Sequence, residues 1–158
     1  MADFTVQIIE NIKLNGVQRG SQVSKIISGI NYTDNRILNT ISGSETTIFE
    51  LSNADGAGTF VTSSLKYARI TNIDTTHSIN LKVSSSNEQL NFKVTAGDSF
   101  MLSTSNVTGS ILSGSTPVFS YGDISSIKVE PVSPPTGSIG YNPSGSESAQ
   151  IEYIIATT

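Results

Sequence analysis

Apolar and polar residues alternate along much of this chain, with the period of two that is typical of half-buried β-strands. The clearest alternation runs from 78 to 94 and is interrupted by the polar segment 84–88, which predicts a β-hairpin with a short loop. Segment 65–73 is also strand-like, and a turn over Ala96-Gly97-Asp98 leads into a further strand at 99–104. These patterns predict four strands in meander order across 65–104.

The remaining strands are shorter or less regular. Phe4, Val6 and Ile8 alternate near the N-terminus, but Ile9 follows Ile8 directly, which predicts a strand with a bulge near Ile8-Ile9. Further short strands are expected in five places: 23–30, 36–41, 46–52, 124–130 and 149–156.

Segment 131–148 has a different character, because it is rich in Pro, Gly and Ser and includes the adjacent pair Pro134-Pro135. Proline cannot donate a ladder hydrogen bond and favours extended geometry, so this segment is predicted to be an arm or a long loop. The sequence therefore predicts one all-β domain over 1–158. We expect an antiparallel, jelly-roll-like β-sandwich of about ten short strands with one extended arm at 131–148.

Composition excludes several classes of function. The 158 residues include no cysteine and a single histidine, which excludes thiol chemistry and multi-histidine metal sites. Charged residues make up 14%, against about 25% in a typical globular chain. The net charge is −4, and the nine Lys and Arg are scattered singly, so nucleic-acid binding is not expected.

The first residues, Met1-Ala2-Asp3, lack the positive region of a signal peptide, and no apolar stretch approaches the ~20 residues that span a bilayer. We therefore expect no membrane partner and synthesis in the cytoplasm.

Candidate catalytic groups are sparse. Asp74 lies three residues before the sole histidine, His77, but both fall between two predicted strands, where Asp, Thr and Ser commonly form turns. The carboxylates of Glu50, Glu130 and Glu152 occupy the polar phase of their strands, so solvent exposure is the favoured interpretation. No enzymatic activity and no cofactor are predicted.

Two weaker binding hypotheses remain open at this point. A surface cation could bind Asp55, or Asp98 with Glu88, although the loop at 53–56 lacks the anchoring residues of an EF-hand. Tyr121 and Tyr141 bracket the Pro-rich segment and could stack on a sugar or anchor a partner.

Four runs of sequence lie at 67–74, 79–83, 96–102 and 151–155. They resemble the small β-rich virion proteins of tailed bacteriophages, among which capsid decoration (cement) proteins are common. The resemblance covers about 65–104 and the last strand. It implies a non-enzymatic protein of the virion that binds the major capsid lattice and stabilises the head. Neck, tail or baseplate components are built alike and form the alternative, as does a carbohydrate-binding β-sandwich.

The resemblance also implies partners: the major capsid protein or other virion subunits, and further copies of this chain in a dimer or trimer. Extended, moderately apolar segments are the expected contact elements. They are the N-terminal strand, with Phe4, Val6 and Ile8, and the arm, with Val132, Pro134, Pro135, Ile139 and Tyr141.

Overall fold

The computed structural model describes residues 2–41, 43–52, 59–61, 65–85, 89–103, 108–110, 117–120, 124–132 and 148–158. Within them the secondary structure is entirely β. The strands are β1 Ala2–Ile9, β2 Lys13–Leu14, β3 Val17–Gln18, β4 Gln22–Ile30, β5 Tyr32–Ile41, β6 Thr46–Ser52, β7 Thr59–Val61, β8 Leu65–Asn72, β9 Ile79–Ser85, β10 Gln89–Val94, β11 Ser99–Leu102, β12 Thr108–Ser110, β13 Pro117–Ser120, β14 Ile124–Pro131 and β15 Ser148–Thr157.

Two sheets pack face to face. Sheet I has the order β10-β9-β14-β6-β7, and sheet II has the order β11-β8-β15-β5. Neighbouring strands are antiparallel except β6 and β7, which are parallel. The predicted antiparallel β-sandwich is therefore confirmed.

The strand order is that of a jelly roll. Without β7 and the short pair β12–β13, the sandwich strands in chain order are β5, β6, β8, β9, β10, β11, β14 and β15. Numbered from 1 to 8 in that order, they lie in the order 1-8-3-6 in sheet II and 2-7-4-5 in sheet I. Two interleaved Greek keys produce this order. The predicted meander over 65–104 is wrong, because β8 and β11 pair in sheet II whereas β9 and β10 pair in sheet I.

The core lies between the sheets and is built from the inward phase of each strand. Ile127 and Val129 of β14 and Ile151, Tyr153 and Ile155 of β15 are fully buried, as their alternation predicted. Side chains of β8, β9 and β6 complete the same cluster. At about 2–5 kcal/mol for each large aliphatic side chain truncated to Ala, this cluster dominates the stability of the fold.

Candidate interaction surface

A long two-stranded ribbon precedes the sandwich. Strands β1 and β4 pair residue by residue from Phe4 with Ile27 to Ile9 with Gln22. A 2.8 Å hydrogen bond from the Arg19 N–H to the carbonyl of Ile12 continues the same register into β2 and β3. The ribbon (residues 2–30) is thus one continuous hairpin, and the predicted bulge at Ile8-Ile9 is wrong.

The tip of the ribbon is a two-residue turn at Asn15-Gly16. Both residues have positive φ, 50° for Asn15 and 81° for Gly16. A type I′ turn requires this conformation, and its twist matches that of the flanking strands. The turn therefore fixes the register that pairs Leu14 with Val17.

The ribbon leaves the sandwich at an irregularity. Ala2 pairs with Ile30, but Phe4 pairs with Ile27. The step of two residues in β1 is therefore matched by a step of three in β4, which contains one extra residue. Gly29 lies in this segment with φ of 80°, a conformation that glycine adopts without steric cost. A bulge of this kind bends a strand pair, and here it separates the ribbon from β5, which continues into sheet II.

The root of the ribbon packs on the outer face of sheet II. The ring of Phe4 lies 4.9 Å from that of Tyr67, and Val6 packs in the same cluster with Ile27. Ala156 of β15 completes the buried surface beneath them. This cluster is separate from the core between the sheets. The root of the ribbon therefore forms a third layer over part of sheet II.

Beyond the root, the apolar face of the ribbon is uncovered. Every second residue of a β-strand lies on the same face of the ribbon. The face that carries Phe4, Val6 and Ile27 at the root therefore also carries a set of side chains farther out. The outer set, 44–58% exposed, is Ile8, Ile12, Leu14, Val17 and Val23. The same face is interrupted by the Glu10–Ser21 pair, joined by a 2.6 Å side-chain hydrogen bond, and by Lys25 and Arg19, which the register places opposite Val6 and Ile12.

The opposite face of the ribbon is mostly polar. It carries the amide side chains of Asn11 and Gln18, 3.5 Å apart, and two exposed isoleucines, Ile9 and Ile26. One ribbon face therefore carries an apolar strip with polar interruptions; the root of the strip is covered by the body of the same molecule and its outer part is open.

The predicted contact residues fall into three groups. Phe4 and Val6 are half-buried against the body, and Ile8 begins the exposed strip. Val132 follows β14, and its N–H donates a 2.8 Å hydrogen bond to the carbonyl of Ser78. Pro134, Pro135, Ile139 and Tyr141 lie outside the described residues, as does most of the predicted arm.

Sequence reasoning missed the outer strip, because it placed Ile12, Leu14 and Val17 in no strand. The signal that could have found them is Asn15-Gly16 between apolar residues, the strongest short-range indication of a hairpin. Leu14 and Val17 flank that pair directly.

Asp74 and His77 form a turn, as predicted from their position between strands. Asp74 Oδ1 accepts hydrogen bonds of 2.8 Å from the backbone N–H groups of both Thr76 and His77. These two bonds hold the pKa of the Asp74 carboxyl well below its usual range. His77 Nδ1 lies 3.3 Å from the same oxygen, farther than the two backbone N–H groups. The main contacts of the carboxylate are therefore with the backbone of the loop.

The three glutamates proposed to be solvent-facing lie on outer surfaces of the sheets. Glu130 bridges to Lys82 at 3.1 Å on sheet I, and Glu152 bridges to Arg69 at 3.1 Å on sheet II, while Glu50 is exposed. Over the described ranges, His, Asp and Glu nowhere gather in a group of three that could hold a metal ion. Asp55, Glu88, Tyr121 and Tyr141 lie outside those ranges.

No family model, curated protein or solved structure matches this chain. In the part of the chain that the structure describes, there is no helix long and apolar enough to cross a membrane.

Proposed function

We propose that this chain is a non-enzymatic structural subunit of a virus particle, of the capsid decoration type, and that the outer ribbon is its docking element. The observation that carries the proposal is the apolar strip on the ribbon, which continues from the buried root to an exposed tip. The resemblance of 65–104 to phage virion proteins is the reason for proposing a virus particle as the assembly. Jelly rolls are also frequent among viral capsid domains.

The contrast between ribbon and body supports an assembly role. The outer surface of sheet I is polar and internally paired, with Lys82 between Glu45 at 2.6 Å and Glu130. The polar groups on the ribbon face are fewer: the Glu10–Ser21 pair and the single basic side chains of Arg19 and Lys25. Covering its half-exposed side chains would contribute about 1 kcal/mol each.

An isolated two-stranded ribbon is only marginally stable in water. The outer part of this ribbon is not covered by the described body, so a partner that covers the apolar strip would also order the hairpin. By mass action, a subunit that binds only the assembled lattice stabilises that lattice. The low charge of the chain fits such a role, since charged residues are depleted at the centres of interfaces.

The test is binding to virus particles that lack the chain. We compare the wild type with a strip variant carrying Ile12→Thr, Leu14→Thr and Val17→Thr, which places a β-branched side chain at each position and changes only exposed positions. A control variant carries Ile9→Thr and Ile26→Thr on the opposite ribbon face. We expect cosedimentation to fall at least tenfold for the strip variant and to persist for the control.

Equal binding by the strip variant and the wild type would exclude the ribbon as the docking element. Failure of the wild type itself to bind any particle would exclude the virion role. A neck, tail or baseplate position is the alternative within the same class, and it differs from decoration in copy number per particle.

A further inference from the structure

The most exposed apolar side chains lie on two elements of the molecule, the ribbon and β5. Among the described residues, every large hydrophobic side chain that is more than half exposed belongs to the ribbon or to β5. On β5 these are Tyr32, Ile37 and Ile41, at 59%, 62% and 57%. The ribbon does not cover Ile37 or Ile41 in its own molecule, so both apolar surfaces are open at once.

The surface on β5 belongs to the same sheet face that already receives a ribbon. Ile37 pairs with Glu152 and Ile41 with Ser148, which places both isoleucines on the outer face of sheet II. The root of the ribbon packs on this face at Tyr67 and Ala156. The outer face of sheet II is therefore suited to a ribbon, and its β5 side is unoccupied by the described residues of the same chain.

Charge favours the same pairing. Residues 1–30 carry three basic and two acidic side chains, a net charge of +1, whereas residues 31–158 carry six basic and eleven acidic ones, a net charge of −5. Glu152 lies directly beside Ile37 but is already paired with Arg69, so the attraction comes from the net charges of the two parts of the chain. Like-charged bodies repel, so a basic ribbon that reaches onto an acidic neighbour reduces that repulsion.

We propose that the outer ribbon of one copy docks on the β5 side of sheet II of a second copy, with the strip residues over Ile37 and Ile41. This inference goes beyond the proposed function, because it concerns contacts between copies of the isolated chain and is tested without particles. The contact joins two different surfaces and is heterologous, so it closes into a ring when the rotation between copies permits. Each subunit in such a ring gives one ribbon and receives one.

The proposed contact is small. From residue 8 to residue 14 the outer ribbon is roughly 20 Å long at the rise of a β-strand. A two-stranded strip of this length is smaller than the ~800 Å² per partner of a standard stable interface. We therefore expect reversible, concentration-dependent association of the isolated chain.

The experiment is sedimentation equilibrium of the isolated chain at concentrations up to about 1 mM, where even a weak specific contact is populated. Three proteins are compared: the wild type, the strip variant described above, and a β5 variant carrying Ile37→Thr and Ile41→Thr. The control is again Ile9→Thr with Ile26→Thr. We expect the wild type and the control to associate and each test variant to remain monomeric.

Mixing the two test variants is the decisive step. The strip variant retains an intact β5 surface, and the β5 variant retains an intact ribbon, so a heterologous contact predicts a 1:1 heterodimer and no larger species. The β5 variant is expected to fold, because β5 remains paired to β15 and the Tyr153 hydroxyl still donates to Asp34 at 2.8 Å. A thermal melt of each variant verifies this.

Three results would overturn the proposal. They are a wild type that stays monomeric throughout, a β5 variant that still self-associates, and a mixture that gives no heterodimer. None of them bears on particle binding. A monomeric chain that still cosediments with particles through its strip would leave the proposed function intact, whereas a ring-forming chain that binds no particle would contradict only that function.

Discussion

Asn72 is the residue that ties one end of the sandwich together. It is fully buried, and its side-chain amide donates hydrogen bonds to the carbonyls of His77 at 2.8 Å and Val94 at 3.2 Å. Its own carbonyl oxygen Oδ1 accepts from the N–H of Asp74 at 3.2 Å. One side chain thus joins the end of β8, the loop before β9 and the end of β10.

Asn72→Ala is expected to lower the free energy of unfolding by about 2–3 kcal/mol, because it leaves buried backbone groups without partners. Asn72→Asp should be at least as destabilising, since a carboxylate would face two carbonyl oxygens. Urea denaturation measures both, with the exposed substitution Asn91→Ala as the control. A loss below about 0.5 kcal/mol for Asn72→Ala, the range of ordinary surface changes, would contradict this account.

Asp74 gives the fold a dependence on pH. Because its folded pKa is lowered, its stabilising contribution is complete above the ordinary carboxyl pKa of about 4 and is lost as the pH falls below that value. Asp74→Asn keeps an acceptor oxygen but removes the charge. We expect the unfolding free energy of the wild type to fall more steeply below about pH 4 than that of Asp74→Asn.

Denaturation at a series of pH values tests this prediction, with Glu50→Gln as the control for loss of an exposed carboxylate. Parallel pH profiles for the wild type and Asp74→Asn would show that the turn hydrogen bonds do not favour the ionised form. Asp74→Ala removes the acceptor as well and should cost about 1 kcal/mol at neutral pH, as the loss of a capping side chain does.

The ribbon shows what alternation can and cannot predict at the level of an element. The strand pattern at 4–8 was visible in the sequence, and so was the extended character that made it a candidate contact element. Alternation identifies an apolar face, but it does not say what covers that face. The structure divides the face, because Phe4 and Val6 pack against the cluster around Tyr67 of the same molecule, whereas Ile8 lies farther out and is exposed.

Gly20 provides a test of the ribbon as an element. A Cβ on Gly20 would lie 1.7 Å from the carbonyl oxygen of Glu10, so the strands must separate there to accept any side chain. Gly20→Ala is expected to reduce amide-exchange protection by at least tenfold over residues 10–21 and to leave β14 and β15 unchanged. Hydrogen exchange with mass spectrometry measures both regions in one experiment.

Ser21→Ala is the matched control, because it removes the side-chain hydrogen bond to Glu10 without adding an atom to the strand interface. We expect it to retain most of the protection of the wild type. Unchanged exchange in Gly20→Ala would mean that the ribbon does not have the close strand approach described here.

For the whole molecule, the inward and outward phases of the sandwich strands could be predicted, but the pairing of strands could not. The loop at 73–78 has the composition of a hairpin turn, yet β8 and β9 belong to different sheets. Period-two alternation reports which side of a strand is buried, and both sheets bury their inner sides in the same core. A crossover and a hairpin therefore look alike in the sequence.

The proposed function operates at this same scale, where the jelly-roll body carries the ribbon that we propose as the docking element. The sandwich supplies a stable base, and the bulge at Gly29 directs a hairpin away from it. The identity of the particle comes from sequence resemblance and not from these contacts. Membership of a virion is therefore the property of the chain to measure first.

The most direct test is the number of copies of this chain per virus particle. Particles are purified from the source, and the chain is quantified by mass spectrometry against the major capsid protein with isotope-labelled peptides. A decoration protein predicts a fixed ratio close to one copy per capsid subunit or per capsomer. A small fixed number would move the chain to the neck, tail or baseplate, and its absence from purified particles would contradict the virion role altogether.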